Sequence, residues 1–97
     1  MITKSEIRDG MRVEWDVPIT MDDGLVVRAD IFRPLDAGHY PAILTYGPYA
    51  KGLAFQDGYP SAWKLLSTQH PDAVAGSSNK YQSWELVDPE KWVPDGY

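Results

Sequence analysis

The sequence contains no cysteine and has few aliphatic side chains. Without cysteine, its 97 residues can form neither a disulfide nor a thiolate zinc site. Small secreted domains usually depend on such crosslinks, so we expect a cytoplasmic protein. Leu, Ile, Val and Phe together number 21 of 97 residues, barely above the roughly 20% below which chains tend to stay disordered. We therefore expect one domain at most, with a thin hydrophobic core.

Basic residues and long apolar runs are also scarce. The 9 Lys and Arg against 14 Asp and Glu give a net charge of -5, so the surface lacks the positive charge that neutralises nucleic-acid phosphates. No stretch approaches the roughly 18 consecutive apolar residues of a membrane span. Residues 1–10 lack the apolar region of a signal peptide. We expect no nucleic-acid partner, no membrane partner and no export.

The first third of the chain has the pattern of a β-hairpin. Residues 11–17 alternate apolar and charged side chains, which predicts a strand with one face on a core, and residues 25–31 repeat the pattern. Between the two runs, the Met-Asp-Asp-Gly sequence at residues 21–24 is typical of a turn. Pro34 ends the second strand, because proline cannot donate to a sheet ladder.

The remaining segments predict a third strand and short helices. Residues 42–46, Ala-Ile-Leu-Thr-Tyr, are continuously apolar, as in a central strand covered on both faces. A glycine-rich loop follows, then a helix with Ser61 as its N-cap. Residues 70–80 resemble an exposed loop, and Asp88-Pro89 predicts a helical turn ending at Val93. This order is the opening of an α/β architecture, so we interpret the chain as a fragment.

Residue patterns for catalysis and metal binding are weak. The nucleophile motif G-x-S-x-G is absent: residues 76–80 come close, but Lys80 replaces the second glycine and no buried strand precedes them. That context favours a loop. His39 and His70 stand in proline-containing loops without metal-ligand spacing, so we expect both to be solvated. Asp22-Asp23-Gly24 resembles the start of a calcium loop but lacks its other ligands, which favours a turn. We expect no cofactor.

Aromatic side chains are the other prominent feature. The chain has 4 Trp and 6 Tyr, which could form a platform for stacking sugars or planar ligands. Alternatively they fill the core and interfaces, where each large ring buries more area than an aliphatic side chain. The second interpretation is favoured by the small number of aliphatic residues.

Three segments carry a resemblance to a known family. They are VPITMDDGLVVRADIFRP at residues 17–34, YPAILTYGPYAKG at residues 40–52 and WELVDPEKWVPDGY at residues 84–97. In this order they resemble the N-terminal part of the cocaine-esterase-like and Xaa-Pro dipeptidyl-peptidase-like α/β hydrolases, the CocE/NonD type. The resemblance implies that residues 1–97 are the N-terminal portion of an α/β-hydrolase domain, with a β-hairpin, a buried central strand, an oxyanion loop and short helices, truncated before the nucleophile elbow.

The resemblance further implies a serine hydrolase that cleaves acyl ester or amide bonds of small molecules. Its Ser, Asp and His triad would lie beyond Tyr97, so the chain alone is expected to be inactive. Tyr49, in the Pro48-Tyr49 pair, would lend its phenol O–H to the oxyanion hole. Such a donor stabilises charge that develops only in the transition state. Ester and amide substrates both stay open, as does a homo-oligomeric assembly of the full-length protein.

A different class of function also stays open, that of a small self-standing binding module that uses its Trp and Tyr surface. The apolar run at residues 42–46 separates the two hypotheses. A free-standing module would have to cover both faces of this strand with very few aliphatic side chains.

Overall fold

A three-stranded antiparallel sheet and several short helices make up the chain. The computed structural model describes residues 4–48, 51–83 and 85–97. The sheet has the order β1-β2-β3, with β1 at Lys4–Arg8, β2 at Met11–Thr20 and β3 at Val26–Pro34. The helices are α1 (Phe55–Gly58), α2 (Pro60–Gln69) and α3 (Pro89–Trp92), with 3₁₀ turns at Pro71–Val74 and Val93–Asp95. A mixed α and β composition is therefore confirmed.

The predicted hairpin is formed by β2 and β3. Thr20 lies opposite Val26 next to the turn, and Met11 lies opposite Pro34 at the far end of the two strands. In the connecting turn the Gly24 N–H donates to the Met21 carbonyl at 2.9 Å, and Gly24 has a φ of +86°, which glycine adopts without a Cβ clash. β3 ends at Pro34, as expected.

The strand β1 was not predicted. It pairs with β2 through a two-residue turn at Asp9 and Gly10, whose φ values are +48° and +77°. Two positive φ values are typical of a type I′ turn, for which Asp-Gly is a favoured sequence. The Asp9-Gly10 dipeptide could therefore have revealed this hairpin, but the charged side chains of β1 concealed the strand.

A β-bulge interrupts the pairing of β2 with β3. Glu14 lies opposite Ile31 and Val17 opposite Ala29, so that Trp15 and Asp16 together face the single residue Asp30. Asp16 takes a positive φ of +55°. Since one extra residue shifts the alternation, the side chains of β2 change faces at the bulge. The expectation of one continuous apolar face along residues 11–17 was wrong.

The two faces of the sheet consequently differ. Before the bulge, Met11 and Val13 share a face with Phe32, their cross-strand neighbour on β3. After the bulge, the apolar side chains of the hairpin lie on the opposite face, where the register places Val17, Ile19, Val27, Ala29 and Ile31. All five are partly or largely exposed. Within the described residues this second apolar face is not buried.

The buried core is small and lies on the first face. It consists of Met11, Val13 and Val93, with the partly buried rings of Trp15, Phe32 and Tyr81 packed against it. Val93 comes from the 3₁₀ turn that follows α3, so this C-terminal segment packs against β2. The expectation of a thin core is confirmed for the described part of the chain.

The C-terminal helical turn follows the prediction closely, while the start of α2 does not. The Asp88 carboxylate accepts from the Glu90 N–H at 3.1 Å and Pro89 begins α3. In α2, however, the N-cap is Tyr59 and Pro60 is the first helical residue, so the prediction of Ser61 as the cap was wrong. Proline suits the first helical position because its φ is already helical and no N–H is needed there.

The predicted central strand does not form. Residues 41–48 have no regular secondary structure and all are exposed, with 87% of Leu44 and 96% of Tyr46 accessible to solvent. A central strand requires hydrogen-bonded neighbours on both edges and cover on both faces. Among the described residues, no strand pairs with this segment. The prediction of a buried strand was therefore wrong for the chain as it stands.

Candidate functional site

The segment around Tyr49 is the site that the sequence predicts. Tyr49 itself lies outside the described residues. Its neighbours Pro48 and Lys51 are described and exposed. The part of this site whose geometry is described is the contact between Lys51 and the sheet.

Lys51 is attached at the β-bulge. Its ammonium lies 3.0 Å from Oδ1 of Asp30 and contacts Oδ1 of Asp16. We call Asp16, Asp30 and Lys51 the bulge anchor. Asp16 and Asp30 face each other at the point where the bulge distorts the ladder. The bulge therefore creates the site that the Lys51 ammonium occupies.

Two further hydrogen bonds involve the aspartates of the bulge anchor. The Asp16 N–H donates to Oδ1 of Asp30 at 3.1 Å. The Arg28 guanidinium donates to the backbone carbonyl of Asp16 at 3.2 Å. The Asp30 side chain is only 9% exposed, so it is a nearly buried carboxylate whose charge is balanced by Lys51.

The contact between Lys51 and Asp16 keeps both side chains charged. The hydrogen bond from Lys51 holds the pKa of Asp16 below its ordinary 3.8, and the hydrogen bond to Asp16 raises the pKa of Lys51 above 10.5. The stabilisation from Asp16 is lost as pH falls through its lowered pKa, and that from Lys51 is lost as pH rises through its raised pKa. At neutral pH, Lys51 is a fixed cation and not a base or nucleophile.

The backbone after Lys51 is also adapted to this contact. Gly52 has a φ of +77°, and a Cβ at this position would lie 3.5 Å from Oδ2 of Asp30. Glycine adopts this conformation without the strain that a side chain would add. The bend at Gly52 turns the chain immediately after the ion pair, next to Asp30.

A second polar cluster joins the turn between β1 and β2 to residues 80 and 81. The Tyr81 O–H donates to Oδ2 of Asp9 at 2.6 Å, and the Lys80 ammonium lies 3.3 Å from the same carboxylate oxygen. Burial, reinforced by Asp9, raises the pKa of Tyr81 to about 12. The hydrogen bond from Tyr81 lowers the pKa of Asp9. This cluster ties the turn between β1 and β2 to the segment that precedes α3, and we assign it a structural role.

The serines of residues 76–80 lie in a loop, as expected. The Ser78 N–H donates to Oε2 of Glu90 at 3.1 Å, and the Ser78 hydroxyl bonds to Oε1 of the same side chain. A 3₁₀ turn and not a strand precedes the segment. His39 and His70 are exposed, and neither imidazole bonds to a serine within the described residues. In the part of the chain that the structure describes, no serine is paired with a base as a nucleophile would be.

The rings of the described tryptophans make contacts of a packing type. Lys4 and Arg8 lie over the Trp15 ring, at 4.9 and 5.6 Å from its centroid. Trp63 meets Phe55 edge to face at 6.3 Å, and Trp92 meets Tyr97 at 5.2 Å. Trp84 lies outside the described residues. These contacts agree better with ring packing than with an open stacking platform.

The described residues carry few features of other kinds of site. No cluster of His, Cys, Asp and Glu suited to a metal ion occurs among the described residues. None of the helices in that part of the chain is long and apolar enough to cross a membrane. Asp22 and Asp23 form a turn, as expected. In this turn the Leu25 N–H donates to Oδ1 of Asp23 at 3.0 Å.

Comparison with known proteins adds no relative. No family model matches the chain. No curated protein and no solved structure matches it either.

Proposed function

We propose that the chain is the N-terminal part of a cytoplasmic serine hydrolase that cleaves acyl ester or amide bonds. The nucleophile, acid and base would be supplied by residues beyond Tyr97, and Tyr49 would donate its O–H to the oxyanion. The proposal rests on the resemblance of residues 17–34, 40–52 and 84–97 to the cocaine-esterase-like and Xaa-Pro dipeptidyl-peptidase-like hydrolases. Its substrate would be a small ester or amide.

One structural observation supports the proposal most. Lys51, two residues after Tyr49, is held by two carboxylates of the sheet, one of them nearly buried. An oxyanion donor is effective only when it is positioned before the reaction, because a mobile donor would have to reorganise as charge develops. The ion pair supplies a fixed point for the loop at the place where such a donor would need one.

The exposed segment at residues 42–46 supports the proposal that more of the protein completes the sheet. Its apolar side chains are accessible in the described chain, and large exposed apolar surfaces usually mark an interface. We propose that residues 42–46 become a paired strand when the rest of the hydrolase is present.

The activity of the isolated chain tests the proposal that the nucleophile, acid and base lie beyond Tyr97. The isolated 97-residue chain is expected to hydrolyse nitrophenyl acyl esters no faster than buffer, because it lacks the nucleophile and its base. A polypeptide extended beyond Tyr97 to include them is expected to give a burst of product stoichiometric with protein and blocked by a serine-directed phosphonate. A phosphonate-sensitive burst from the isolated chain would contradict the proposal and direct attention to Ser77 and Ser78.

The solution behaviour of the isolated chain distinguishes the hydrolase fragment from the binding module. We expect the chain to associate or to remain partly unfolded, because its unpaired apolar segment favours contact between copies. Sedimentation velocity should show association that Leu44→Asp reduces, since the charge disfavours burial of this side chain. A monomeric wild-type chain with a sharp, cooperative melt would instead favour the binding module.

A further inference from the structure

The strand β3 lies at one edge of the sheet. It pairs with β2 on one side, and among the described residues no strand pairs with it on the other. An open edge presents a row of backbone N–H and C=O groups that can bond to a further strand. The bulge of this sheet lies in β2, so the alternation of residues along β3 is regular from end to end. We call the open side of β3 its outer edge.

The pairing of β2 with β3 determines which backbone groups lie at the outer edge. In an antiparallel ladder, residue pairs that exchange hydrogen bonds alternate with pairs that do not. Pro18 has no N–H and lies opposite Arg28, so this is a non-hydrogen-bonded pair. In agreement, the Met21 N–H donates to the carbonyl of the odd-numbered Leu25. The backbone groups of the even-numbered residues of β3 therefore point outward, and those of the odd-numbered residues point toward β2.

The charges of β3 favour one alignment with a second copy of the same strand. When two antiparallel copies are centred on Ala29, each Arg28 lies opposite Asp30 of the other copy, and both direct their backbone groups at the facing strand. A shift of the centre to Arg28 or to Asp30 would place like charges directly opposite each other, which is destabilising. The sequence of β3 is therefore complementary to itself in this alignment.

Side chains on both faces of the joined strands support the same alignment. On one face, the two carboxylates and one ammonium of the bulge anchor leave a negative charge unbalanced, and the exposed Arg28 of the second copy brings a cation beside it. On the other face, the partly exposed Val27 and Ile31 meet across the join. Cross-strand pairs of this kind stabilise a sheet.

We propose that the 97-residue chain forms a two-fold symmetric dimer through the outer edges of β3, with Ala29 of the two copies side by side at the symmetry axis. The two three-stranded sheets then become one continuous sheet. The occupant of the edge is a second copy of this chain. This inference goes beyond the proposed function and depends on no catalytic step.

Disulfide crosslinking tests the alignment, because the chain has no cysteine of its own. In a non-hydrogen-bonded antiparallel pair the two Cα atoms lie about 4.5 Å apart, which a disulfide can bridge. We expect Ala29→Cys, oxidised with copper phenanthroline, to give a covalent dimer on a non-reducing gel. Val27→Cys is the matched control, because it lies on the same face but opposite Ile31 of the second copy. Both variants carry Leu44→Asp, which reduces association through residues 42–46.

Sedimentation equilibrium measures the contribution of the facing charges. Arg28→Glu places a negative charge opposite Asp30 at both symmetry-related positions, so we expect the dissociation constant of the dimer to rise about tenfold or more. Lys64→Glu makes the same change of charge at an exposed position of α2 and should leave the constant unchanged. Circular dichroism checks that both variants keep the sheet.

The proposal predicts crosslinking of Ala29→Cys alone, together with weaker association of Arg28→Glu. Equal crosslinking of Ala29→Cys and Val27→Cys would indicate association without a fixed register and would overturn the proposed dimer. Association that Leu44→Asp abolishes would also overturn it, because the contact would then be made by residues 42–46 and not by β3. So would a chain that stays monomeric.

Discussion

Replacing Tyr49 with Phe in the proposed complete hydrolase is expected to lower kcat about a hundred- to a thousandfold, which corresponds to roughly 2.7–4 kcal/mol. The change keeps the ring and removes one O–H. Because the oxyanion is present only in the transition state, the lost hydrogen bond should affect turnover and leave KM nearly unchanged. Steady-state kinetics on the wild type and the variant measure both constants.

A matched control is available three residues earlier in the chain. Tyr46 has no assigned role in the reaction, so Tyr46→Phe removes the same O–H and should leave kcat unchanged. If Tyr49 only packs against the sheet, Tyr49→Phe would preserve kcat and alter mainly the melting temperature, since Phe fills the same volume. That outcome would exclude Tyr49 as the oxyanion donor.

Truncation of Met11 to Ala is expected to have the largest effect on stability. Met11 is fully buried and belongs to a core with only three buried hydrophobic members among the described residues. Removing such a side chain costs about 2–5 kcal/mol, against a total of ~5–15 kcal/mol for an ordinary domain. Urea unfolding of the extended polypeptide, followed by the fluorescence of Trp15 and the other tryptophans, should show a large fall in the midpoint.

Met21→Ala is the control, because Met21 lies exposed in the turn between β2 and β3 and the substitution is chemically identical. We expect it to change stability by less than about 0.5 kcal/mol. Equal effects of the two substitutions would contradict the placement of Met11 in the core.

The hairpin and the capped turn of α3 could be predicted because short local signals determine them. Residues 21–24 contain the turn sequence, and Asp88 followed by Pro89 contains the cap and the first helical position. Each of these interactions joins residues close in sequence. The Asp9-Gly10 turn belongs to the same class, so β1 was also predictable from its turn, despite the charges along the strand.

The bulge and the bulge anchor could not be predicted in the same way. Alternation along residues 11–17 favours a regular strand, and nothing in the local sequence indicates that Asp16 takes a positive φ. Lys51 meets Asp30 only because the fold brings together residues that are distant in sequence. The prediction of a strand at residues 42–46 failed for the opposite reason. The strand propensity of this segment is strong, but a strand also needs neighbouring strands to bond with.

The most direct test of the account is to read the coding region that follows the codon for Tyr97. If the chain is the N-terminal part of a serine hydrolase, the reading frame should continue into a Val-rich strand and, further on, a G-x-S-x-G nucleophile motif. Asp and His residues should follow that serine in chain order. A stop codon directly after Tyr97, or a long continuation without the nucleophile motif, would contradict the proposed function.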